Sequence, residues 1–141
     1  MRKPVLILTA LAGQLLAGSF FLTLGNPKAS TEARELRAVL TVKAAGCLDP
    51  VTVQVTATAI GLVNGERRTV PLEVKGLSEP GMFAVIGQWP KEGKWVIELV
   101  GNSGPKFTNT LVAVGPDGPD RSHAKYDWHK FEERDVEAML R

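Results

Sequence analysis

The side chains with chemistry to offer are few: one cysteine, Cys47, two histidines, His123 and His129, and, past the initiator, the methionines Met82 and Met139. Cys, Met and His together are the donor set of a soft copper(I) site, and on a helix His129 and Glu133 would share one face. The spacing does not assemble them. His123 follows a Pro/Gly/Asp-rich stretch and His129 stands among charges, so both read as solvated imidazoles, while Met82 reads as a filler of core gaps. A single cysteine cannot form an internal disulfide, which leaves a buried thiol, an intermolecular bridge or a soft-metal ligand. Between Ala44-Ala45-Gly46 and Leu48-Asp49-Pro50, Cys47 is expected to be buried at a strand end. No metal site and no cofactor is assigned; Cys47, Met82, His123 and His129 are the candidates if a metal is held.

Hydrolytic chemistry finds no footing. A serine nucleophile needs a sharp, supported turn, yet Ser78 and Ser103 lack a Gly-x-Ser-x-Gly context. Glycosidase action needs two carboxylates facing each other across a cleft, and Glu73, Glu92 and Glu98 fall where solvent or turns are expected. No Gly-rich phosphate loop occurs. The chain is therefore expected not to be an enzyme.

The elements around these residues alternate with period two. Leu36, Ala38, Leu40 and Val42 predict one half-buried strand, and Val51, Val53, Val55, Ala57 and Ala59 predict a second, with Thr52, Gln54, Thr56 and Thr58 on its other face. Asn64-Gly65 is the favoured pair for a type I′ hairpin and should join that strand antiparallel to residues 67–75. Pro71 donates no ladder hydrogen bond, which places it at a sheet edge or facing solvent. Residues 82–89 and 94–101 flank Pro90-Lys91-Glu92-Gly93 and read as a further hairpin, in which Trp95 should be buried against Val53, Val55 or Phe83. A last strand runs from Phe107 to Val114. Six strands with frequent turns and no helical period predict an all-β sandwich over residues 36–115.

Both ends differ from this middle. Met1-Arg2-Lys3-Pro4 precedes an uncharged run of 20 residues, Val5 to Leu24, so residues 1–25 read as a signal peptide or an N-terminal membrane anchor, with a tether through residues 5–24 if uncleaved. Small residues at Ala17/Ser19 and at Thr23/Gly25 offer two cleavage sites. Residues 26–35 form a polar linker. Residues 116–141 carry a Pro/Gly loop and then a short amphipathic helix over 126–141, capped by Asp127, with Trp128, Val136 and Leu140 packing on the sandwich. The address is periplasmic or otherwise extracytoplasmic. Setting aside Arg2, Lys3 and Lys28 from 17 basic residues leaves 14 against 15 acidic ones, a near-neutral exported part that disfavours nucleic acid as a partner.

The run Leu77-x-x-Pro80-Gly81-Met82-Phe83-Ala84-Val85-x-x-Gln88-Trp89-Pro90-x-x-Gly93-x-Trp95-x-Ile97-x-Leu99 resembles the later strands of bacterial exported immunoglobulin-like domains, including the YtkA-like and FixH-like families. The resemblance implies an immunoglobulin-like antiparallel β-sandwich of six to seven strands and an accessory role in the envelope. Some such families handle copper, but the His- and Met-rich segments of a copper carrier are absent here. Two functions follow as expectations: a cell-envelope binding or assembly module for a protein or glycan, or a small periplasmic copper carrier using Cys47 with a histidine.

Overall fold

The computed structural model describes residues 19–141. Most of the expected export or anchor segment lies outside the described residues, but its end does not. Phe20–Gly25 is a strand, β1, whose Phe20 and Leu22 are fully buried. The apolar run assigned to the leader thus gives way to the sheet at Phe20, because alternate residues there find a core to enter.

The connector 26–35 is locally structured. Asn26 caps a 3-10 turn, Pro27–Ala29, and the Ser30 hydroxyl accepts the Ala33 N–H at 3.2 Å to start helix α1, Thr31–Glu35. Leu36 closes that helix and Arg37 takes a φ of 54°, so the strand expected from Leu36 begins later, as β2, Leu40–Gly46. Likewise Val51 lies in a 3-10 turn, Pro50–Thr52, capped by Asp49, and the next strand, β3, spans Gln54–Val63. Its alternation is as expected: Val53, Val55, Ala57 and Ala59 are buried, and Gln54 and Thr56 are exposed.

The remaining strands are β4 (Glu66–Gly76), β5 (Met82–Ile86), β6 (Lys94–Ser103), β7 (Lys106–Gly115), β8 (Gly118–Pro119) and β9 (Lys125–Asp127). Every pairing is antiparallel, in the order β1-β2-β5-β4-β3-β6-β7-β8 with β9 also on β7. These nine strands form one curled sheet. The count exceeds the six to seven expected, through β1 and the short β8 and β9.

The hairpin between β3 and β4 is as the sequence predicts. Val63 pairs with Glu66, and both intervening residues have positive φ, 50° at Asn64 and 78° at Gly65, the type I′ combination whose hand matches the strand twist. Pro71 sits at a corner. Residues 66–72 of β4 pair with β3, and from Glu73 onward β4 pairs with β5 instead. At Pro71 one edge of the strand is therefore unpaired, and the missing N–H costs nothing there.

The expected hairpin between residues 82–89 and 94–101 does not form. β5 lies between β2 and β4, and β6 lies between β3 and β7. The Pro90–Gly93 segment carries the chain from one part of the sheet to the other; Pro and Gly specify that a turn occurs, not which strands it joins.

Curling brings residues from both ends of the sheet into one core. Leu40, Val42 and Val85 from one half meet Val55, Ala59, Ile97, Leu99 and Val112 from the other, with Phe20 and Leu22 among them. Gly101 permits the closest approach: a Cβ there would lie 3.2 Å from the Phe20 ring and 3.3 Å from a Leu22 methyl. Trp95, 3% exposed, stacks on the facing Gly61, where a Cβ would come within 2.5 Å of the indole. Its Nε1 donates to the Glu92 carbonyl at 2.9 Å.

The outer face of β6 and β7 is covered by helix α2, Glu133–Met139, through Val136 and Leu140 against Val96 and Leu111. The helix is shorter than the expected 126–141 because residues 125–127 pair with β7 as β9, leaving Trp128 outside it. Its cap is Glu132, in a capping box with Asp135, not Asp127. Buried Asn109 ties the parts together: its Nδ2 donates to the Leu99 carbonyl at 2.9 Å and its Oδ1 accepts the Phe131 N–H at 3.0 Å.

Two substitutions measure these features. Gly65→Ala meets no neighbour within 4 Å, so its cost is conformational alone; a loss of about 1 to 2 kcal/mol in urea unfolding is expected, and an unchanged midpoint contradicts the turn. Trp95→Ala should cost about 3 to 5 kcal/mol, and near-native stability of that variant would show that the indole contributes little to the core.

Candidate functional site

Among the described residues five large apolar side chains stay well exposed: Phe21 at 46%, Val51, Leu62, Tyr126 at 50% and Trp128 at 56%. Three of them gather in one place. Phe21, Tyr126 and Trp128 line a groove of about 350 Å³ together with Leu22, Thr23, Thr108 and Asp127. The alternation of β1 that buries Phe20 and Leu22 turns Phe21 outward, and pairing of β9 with β7 brings Tyr126 opposite Thr110 and Asp127 opposite Asn109.

Trp128 spans the groove. Its Nε1 donates to the Phe20 carbonyl at 3.1 Å, joining the end of β9 to the beginning of β1. The Thr108 hydroxyl donates to the Asp127 carbonyl. The Asp127 carboxylate accepts the His129 N–H at 3.0 Å and lies 3.3 Å from the His129 ring nitrogen. That main-chain hydrogen bond, followed by the ring contact, holds the Asp127 carboxyl below the usual carboxylate range, so it is ionised at neutral pH. The groove thus offers aromatic surface and one anionic group. It can stack on apolar or planar faces and attract a cation.

Cys47 is not buried. It is exposed in the turn after β2, where Gly46, at φ 114°, directs the chain off the strand before Asp49 caps the next turn. Its carbonyl accepts the Lys106 ammonium. Met82 is partly buried at the start of β5, opposite Lys43. His123 Nδ1 contacts the Asp120 carboxylate at 2.7 Å; the Ser122 hydroxyl first and His123 second hold the Asp120 carboxyl low. His129 precedes α2, so it shares no helix face with Glu133. Among the described residues no group of three or more His, Cys, Asp and Glu is arranged to hold a metal ion.

The serines and glutamates are equally dispersed. Ser103 bonds to the Thr52 hydroxyl at 2.6 Å, and the Ser78 N–H donates to the Glu32 carboxylate. Glu73 and Glu92 are exposed and Glu98 is partly buried on β6. The groove itself escaped the sequence reading, although a signal was present: Tyr126 and Trp128 are two apart, a strand spacing, within a segment read as helical.

Comparison with protein-family models, curated proteins and solved structures returns no match for this chain. Among the described residues no helix is long and apolar enough to cross a membrane.

The exposed Cys47 has a measurable consequence. Iodoacetamide should alkylate it in the native state at a rate within about threefold of that in urea, since reactivity follows access as well as thiolate fraction. Strong native-state protection would contradict its placement.

Proposed function

We propose that this protein is an exported, non-catalytic binding or assembly module of the cell envelope, an immunoglobulin-like β-sandwich that recognises an envelope protein or glycan through its aromatic groove. The observation that carries this reading is the convergence of Phe21, Tyr126 and Trp128 on one cavity, while Phe20, Phe83, Trp89, Trp95 and Phe131 serve the core or its margins. Solvent-exposed aromatic clusters are costly to leave wet and are characteristic of interaction sites.

The charged N-terminus and apolar run support an extracytoplasmic address. Of the two cleavage sites, processing before Phe20 is compatible with the fold, since it spares β1; a cut before Asn26 would remove Phe20 and Leu22 from the core. The resemblance of residues 77–99 to YtkA-like and FixH-like domains agrees with this class of role. The copper-carrier alternative gains no support from the positions of Cys47, Met82, His123 and His129, since each histidine is engaged by a neighbouring aspartate.

Site-specific photocrosslinking in cells tests the reading. A benzophenone side chain at Tyr126 should capture an envelope component, the same group at Leu62 should not, and Trp128→Ala should reduce the Tyr126 product about tenfold or more, the size of a lost aromatic anchor. Equal labelling at both positions would overturn the groove assignment. Submicromolar copper(I) binding abolished by Cys47→Ala would establish the carrier instead.

A further inference from the structure

Strand β1 ends the sheet, yet its outer edge is closed. β7 lies within 8 Å of it, and the Trp128 indole donates across it to the Phe20 carbonyl. A polypeptide therefore finds no free main-chain ladder in the groove, and recognition there falls to side chains. The same hydrogen bond uses the only N–H of the indole and holds the ring in place. What Trp128 has left to offer a ligand is ring surface, already oriented.

Polar groups with hydrogen bonds still to make stand around that surface. Phe21 and Thr23 are outward residues of β1, and both line the groove. Among the described residues the Thr23 and Tyr126 hydroxyls have no hydrogen-bond partner, and the Asp127 carboxylate uses only Oδ1, for His129. The Thr108 hydroxyl gives its proton to the Asp127 carbonyl and keeps its lone pairs. Aromatic rings and unspent polar groups thus share one opening of about 350 Å³.

We infer that the groove binds a glycan of neutral or amino-bearing pyranose units, with the C–H face of a sugar ring against Tyr126 or Trp128 and hydroxyls or an amine at Thr23, Tyr126 and Asp127. This rests on the reading of the groove as the binding site and names its ligand class. A pyranose carries the same two surfaces as the lining. Its C–H hydrogens suit the negative face of an aromatic ring, and its rim of hydroxyls both donates and accepts. Asp127 is the one charged side chain in the lining, so a protonated amine is complementary and a uronic or phosphorylated sugar is repelled. The cavity lies at the lower end of the roughly 300–1,000 Å³ of small-ligand sites. A protein partner of standard size would cover about 800 Å² of this chain. Only three of the five exposed large apolar side chains belong to the groove, and Leu62 lines a separate cavity beside α2.

The test titrates the full chain by calorimetry with three hexasaccharides: chitohexaose, its fully deacetylated form and hexagalacturonate. Chitohexaose should bind with a Kd below about 1 mM, and hexagalacturonate should not bind. At low salt the deacetylated form should bind about threefold or more tightly, the size of an exposed charge pair. Trp128→Ala should weaken both about tenfold or more. That variant also loses the bond to Phe20, so Tyr126→Phe, which keeps the ring, is the second; it should weaken both severalfold. Asp127→Asn should remove the preference for the amine, and Leu62→Ala should change nothing. No binding of either amino-sugar hexamer at millimolar concentration, or equal binding of hexagalacturonate, would overturn the inference. The adduct captured at Tyr126 in cells separates this inference from the broader reading. Monosaccharides released from it by acid hydrolysis support a glycan. An adduct whose attached mass is polypeptide, whether another protein, a second copy or residues 1–18 of the same chain, overturns the glycan but leaves the groove as a contact site. No adduct together with no hexasaccharide binding would overturn both.

Discussion

Phe20 and Leu22 reach the centre of the molecule because β6 presents no side chain at Gly101, where their terminal carbons come within contact of the strand. Burying two such side chains contributes about 3 to 6 kcal/mol, a large share of the roughly 5 to 15 kcal/mol that holds a domain of this size together. β1 lies beside β7 while its Phe20 and Leu22 side chains reach Gly101 on β6, so the two ends of the sheet come together, and a continuous sheet can do this only by curling.

The curl is placed by β4, which exchanges β3 for β5 just after Pro71. A proline is tolerated at such a changeover because one edge of the strand is unpaired there. On the opposite side, α2 closes the outer face through Val136 and Leu140, and an ion pair between Arg67 and Glu133 links the helix to β4. Asn109 uses both ends of its amide between β6 and the segment leading into the helix, so each polar atom of a side chain with no solvent exposure has a partner.

The groove is a by-product of incomplete closure. β1 and β9 approach from opposite ends of the curled sheet, and a single indole hydrogen bond joins them. Their outward residues, Phe21 on one side and Tyr126 on the other, line the opening, while Cys47, Met82 and His123 lie outside it.

Much of the local structure was legible in the sequence. Asn64-Gly65 determined its turn because few residues tolerate positive φ, the Val53 to Ala59 alternation determined a face, and Trp95, Val136 and Leu140 had to be covered somewhere. Local signals could not say which strands meet. Pro90–Gly93 marks a turn equally well within a hairpin or between halves of a sheet, and a uniformly apolar run at Val5 to Leu24 has no period to show that Phe20 begins a strand. Cys47 looked apolar in context, yet the positive φ of Gly46 places it at the surface. Tertiary structure alone decided the groove, since Phe21 and Trp128 stand far apart in sequence and become neighbours only when burial of β1 brings the two ends of the sheet together.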